Sequence, residues 1–65
     1  MAYSWYLFAE YMDSSFRGLR LLSDETPTSI GAGHVWQMLA VFSGNTSQEA
    51  YRKARTALMN CIATA

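Results

Sequence analysis

His34-Val-Trp-Gln-Met-Leu-Ala-Val-Phe42, followed by Ser43-Gly44-Asn45 and then Thr46-Ser-Gln-Glu49, is the stretch that decides the fold. Its first part alternates His34, Trp36, Met38, Ala40 and Phe42 against Val35, Gln37, Leu39 and Val41. That is the period-two spacing of a strand, and both sets are largely apolar, as in a strand covered on both sides. Ser43-Gly44-Asn45 is a turn signal. Thr46 and Glu49 have the spacing of a capping box, in which each side chain satisfies a backbone N–H left unpaired at a helix start. From there Ala50, Ala54, Ala57, Leu58, Cys61, Ile62 and Ala65 recur at the spacing of one helix face, with Gln48, Arg52, Arg55 and Met59 opposite. Glu49 precedes Lys53 by four residues, an orientation that adds a few tenths of a kcal/mol. The apolar face is mostly alanine, so a sheet of large side chains can approach it closely. Alone, a helix of about 20 residues is marginal in water, so its stability must come from packing.

Upstream, Tyr3 to Met12 is rich in aromatics. Read as a strand, it sets Tyr3, Trp5, Leu7, Ala9 and Tyr11 on one face and Ser4, Tyr6, Phe8, Glu10 and Met12 on the other. Trp5, Phe8, Ala9, Met12, Phe16 and Leu19 also fit a helical period. Aromatic density and the turn-like Asp13-Ser14-Ser15 favour the strand. Phe16 to Leu22 reads as a second strand, with Leu19 and Leu21 inward and Gly18, Arg20 and Leu22 on the other face. Paired with the first strand, it can set Arg20 against Glu10. Ser23 to Gly33 contains Pro27, Gly31 and Gly33, which exclude ordinary helix or strand. It is expected to be a mobile hairpin loop between the second and third strands. The assembled expectation is an α+β fold: a three-stranded antiparallel sheet with one C-terminal helix packed on one face (β-β-β-α), forming a single small domain over residues 1–65.

The chain has 65 residues, of which 51% are hydrophobic, and its five Lys and Arg balance five Asp and Glu. A domain of this size buries only about 60% of its unfolded surface. Small chains compensate with disulfides, metals or partners. Cys61 is the only cysteine, and the sequence holds no Cys/His cluster, so association is the remaining remedy. A zero net charge lacks the basic excess usual in nucleic-acid binding. The amino-terminal aromatics lack a positive flank and are interrupted by Glu10, which predicts neither signal peptide nor membrane span and a cytoplasmic location.

Little in the sequence points to catalysis. His34 is the only histidine, and Asp24 and Glu25 are the acids close to it in sequence. Cys61 falls on the apolar helix face, where cysteine is usually an inert small hydrophobe. Gly-x-Ser-x-Gly is absent, and Gly31-Ala32-Gly33 precedes a strand rather than the helix a phosphate loop requires. No catalytic residue, cofactor or metal is expected.

Gly44-Asn-Thr-Ser-Gln-Glu49-Ala50, entering an alanine-rich helix after three strands, resembles the end of a double-stranded-RNA-binding domain. It departs from that family in having no amino-terminal helix, and Ser47-Gln48-Glu49 where the family has lysines. Three strands and a packed helix also resemble the arm-type DNA-binding domains of phage integrases, which read DNA with the sheet; here the sheet offers Arg17 and Arg20. Both are likenesses of fold and assign no site.

One helix covers one face of a sheet whose strands are apolar on both. The second face is therefore expected to be an interface. The reading is a non-enzymatic protein-interaction module that pairs with itself as a homodimer or docks on another protein. Tyr6 and Phe8 would supply the apolar contact, and Arg20 and Gln37 the directional ones. Small neutral domains of this kind suit accessory or inhibitor roles such as those encoded by bacteria and phages. The alternative is nucleic-acid binding through Arg52, Lys53 and Arg55 on the helix or Arg17 and Arg20 on the sheet.

Overall fold

A computed structural model describes residues 2–27 and 31–64, with 63 and 64 through their backbone alone. Ala65 of the expected helix face and residues 28–30 of the loop lie outside the described residues. Three strands, β1 (Tyr3–Met12), β2 (Ser15–Leu22) and β3 (His34–Gly44), precede one helix, α1 (Ser47–Thr64). The sheet is antiparallel in the order β2-β1-β3. The β-β-β-α architecture read from the sequence is the one observed.

One connection differs from expectation. β3 pairs with β1, not with β2, so β2 and β3 are the two edges of the sheet and the connection between them is not a hairpin loop. β1 is apolar on both faces, which suits the central position it occupies. The true hairpin joins β1 to β2. Asp13 and Ser14 both have positive φ, 50° and 66°, the signature of the type I′ turn whose twist matches that of the strands. The far end of the crossover is tied to this turn, because the Asp13 amide donates to the Gly33 carbonyl at 2.8 Å. Gly33 has φ +80°, a conformation that strains any residue with a Cβ, and a Cβ there would also displace the Asp13 carboxylate.

Two bulges break the ladders. The β1–β2 register shifts between Glu10 and Tyr11, where Arg17 is the extra residue, and the β1–β3 register shifts between Leu7 and Phe8, where Leu39 is. The second shift reverses the alternation of β3. Val41 lies opposite Tyr6 and Met38 opposite Phe8, so Met38 and Val41 share one face, whereas Ala40 and Phe42 pair with Leu7 and Trp5 on the other. Strict alternation had put Val41 with Gln37 and Ala40 with Met38. A bulge adds one residue and flips every side chain after it.

The helix lies on the face of Trp5, Leu7 and Ala9. The Trp5 indole Nε1 donates to Ser47 Oγ at 3.1 Å, and its ring meets Tyr51 edge-on at 4.8 Å. Ala50 and Ala54 are completely buried, as expected of an alanine face that lets the helix come close. The capping box is present: the Glu49 amide donates to Thr46 Oγ1 at 3.0 Å, and the Glu49 carboxylate accepts from the Asn45 amide at 3.2 Å. Gly44 lets the chain turn tightly here, since a Cβ would sit 2.9 Å from the Ala50 nitrogen. Towards its end the helix stands over β2 without closing on it: Cys61 and Ile62 are exposed, and a groove of about 390 Å³ separates Phe16, Gly18 and Leu19 from the helix residues Leu58, Cys61 and Ile62. Among the described residues the buried hydrophobic ones are few: Leu7, Phe8, Ala9, Ala50 and Ala54.

Candidate interaction surface

The face away from the helix is built from the even residues of β1 and their neighbours. Tyr6, Phe8 and Glu10 form its central row, with Arg20 and Leu22 on β2 and His34, Trp36, Met38 and Val41 on β3. At one end, three strands meet through a carboxylate. Glu10 Oε1 lies 3.2 Å from Arg20 Nε, and Glu10 Oε2 accepts from His34 Nε2 at 2.7 Å. The Glu10–Arg20 pair is the one the sequence suggested. The acid on His34 is Glu10, not Asp24 or Glu25. Its partnership follows from β3 lying beside β1, which sequence spacing does not reveal.

Next to this tie the aromatics cover one another. Phe8 meets Trp36 edge-on at 6.0 Å and Tyr6 at 6.5 Å, and Trp36 lies 5.1 Å from the His34 ring. Phe8 is only 3% exposed as a result, and Tyr6 and Trp36 are half-buried. Of the residues expected to make contacts, Tyr6 and Arg20 sit on this face with surface available, and Phe8 is its floor. Gln37 pairs with Ala9 and therefore belongs to the helix-side face.

The larger apolar exposure runs along β3. Val35 is 56% exposed, Met38 44%, Leu39 46% and Val41 54%. Periodicity concealed this concentration, because an edge strand with apolar residues on both faces has the same pattern as a central one.

No family model, curated protein or solved structure matches the chain. The surface has to be read from its own chemistry.

The helix cations Arg52, Lys53 and Arg55 are exposed. Lys53 is engaged by its own fold, donating to the Ser43 carbonyl at 2.9 Å and lying 3.6 Å from Glu49 Oε1. It therefore ties the helix to the end of β3. Arg17, at the bulge of β2, is also exposed. Among the described residues, no helix is long and apolar enough to cross a membrane.

Proposed function

We propose that this chain is a non-enzymatic protein-interaction module whose sheet is the contact surface. The observation that carries the reading is the set of large apolar side chains exposed on edge strand β3: Met38 and Val41 on the open face, Leu39 at the bulge and Val35 on the helix side. Surfaces of this kind are usually buried by a partner. The open face that carries Met38 and Val41 has a layered composition. A floor of Phe8 and Trp36 is rimmed by Tyr6, Arg20 and the Glu10–His34 pair, giving apolar area at the centre and directional groups at the end. In this reading Glu10 and His34 brace the three strands and do no chemistry.

The test combines light scattering of the pure protein over a concentration series with affinity capture from the native host's lysate after nuclease treatment. Met38→Asp places a charge on an exposed position of the face, where the monomer tolerates it. Self-association or capture that is lost in Met38→Asp supports the reading. A monomer at every concentration, combined with capture indifferent to Met38→Asp, refutes it. Capture that disappears with nuclease and falls steeply with salt instead identifies nucleic acid as the ligand of Arg52, Lys53 and Arg55.

A further inference from the structure

We propose that the outer edge of β3 pairs antiparallel with the same edge of a second copy, joining two three-stranded sheets into one continuous sheet. This rests on the interaction reading above and specifies its occupant and geometry.

The two edges of the sheet are built differently. β3, from His34 to Gly44, contains no Lys, Arg, Asp, Glu or Pro. β2 is shorter, carries Arg17 and Arg20, and bulges at Arg17 beside a glycine with φ +144°. Charges, short length and bulges are the devices that keep a strand edge from pairing with another chain. β2 has all three, whereas β3 has only the bulge at Leu39.

Self-complementarity argues for a second copy as the occupant. Across a two-fold axis β3 meets β3, and its lack of charges leaves no like-charge pair opposed. A β2–β2 pairing would bring arginines together. An axis near Met38 and Leu39 gathers Met38 and Val41 of both copies into one apolar cluster on the open face, while Val35, opposite Tyr11, lies on the helix side in each copy. The bulge at Leu39 lies beside this axis, so it bends both copies at the same place and confines the unpaired residue to the centre of the seam. Antiparallel pairing within one sheet puts that axis normal to the sheet, so both helices lie on one side and the two open faces become contiguous. The outer edges of the pair are then the two β2 strands, and their arginines stop further growth. The assembly is a closed isologous dimer and not a filament. The small core supplies a further reason, since among the described buried hydrophobic residues only Leu7 and Phe8 are larger than alanine.

The experiment is hydrogen exchange of the full chain at high and low concentration, with mass from light scattering. The expected result is a dimer whose β3 amides lose protection by an order of magnitude or more on dilution while β2 amides do not change. Leu39→Lys, at an exposed edge position, is expected to give a folded monomer, and Arg17→Glu to remain dimeric. A dimer whose β3 amides ignore dilution overturns the edge pairing and leaves the interaction reading standing. A monomer at every concentration overturns the edge pairing too, and the interaction reading is then judged by capture with Met38→Asp. The wild-type exchange pattern decides even if Leu39→Lys fails to fold.

Discussion

At the scale of single residues, burial separates roles that the sequence placed together. Tyr6 and Phe8 are neighbours on one face of β1, but Phe8 is enclosed by Tyr6 and Trp36 and belongs to the core. Truncating a buried phenylalanine costs about 3–5 kcal/mol. A single core in a chain this short rarely supplies more than about 3–5 kcal/mol in total. Phe8→Ala is therefore expected to unfold much of the protein, whereas Tyr6→Ala leaves it folded; urea titration of each variant checks this. Glu10 offers a second contrast. Its carboxylate holds the exposed Arg20 and the well-covered His34. Losing an exposed ion pair costs at most about 1 kcal/mol. Leaving a covered imidazole without its acceptor costs about 1–3 kcal/mol. Glu10→Ala is expected to destabilise more than Arg20→Ala, again by urea titration, and equal losses would show that His34 draws nothing from Glu10.

Among the elements, the helix was the most legible because its signals are local. Thr46, Glu49 and the alanines at 50 and 54 depend only on spacing along the chain, and the structure places them as that spacing required. Replacing the cap, Thr46→Ala, is expected to cost about 1 kcal/mol. Because Ser47 at the same end holds Trp5, the loss should also register as a change in tryptophan fluorescence, and an unaltered midpoint and spectrum would contradict that role. The strands were legible as elements but less so in their arrangement. The hairpin at Asp13-Ser14 is written in short polar turn residues, of which Asp13 is one of the few types that readily take positive φ. The crossover to β3 and the bulge at Leu39 are not written locally. Leucine gives no sign of a bulge, since glycine marks only some of them. The pairing of β3 with β1 depends on burial summed over the whole sheet. Both failures have the same consequence at the site: Gln37 falls on the helix side, and the Glu10–His34 contact stays hidden until the strand order is known.

For the molecule as a whole, shape and core size argue together. The described residues span 37 × 28 × 12 Å between their Cα extremes, a thin slab in which, among those residues, the helix layers one broad side of the sheet and nothing layers the other. A slab encloses little volume, and the described buried hydrophobics reflect this, with three of the five being alanine. If β3 is covered by a second copy, folding and association are linked: the dimer binds only folded chains, so its stability rises with concentration by mass action. The thermal midpoint of the wild type is then expected to rise with each tenfold increase in protein concentration. Leu39→Lys, monomeric under the same conditions, should melt at one temperature throughout and below the concentrated wild type. The control is Arg17→Glu, which alters charge on the opposite edge and should retain the concentration dependence. A wild-type midpoint that does not move with concentration would mean that the small core suffices without a partner copy. The exposed side chains on β3 would then have to be explained by a different protein.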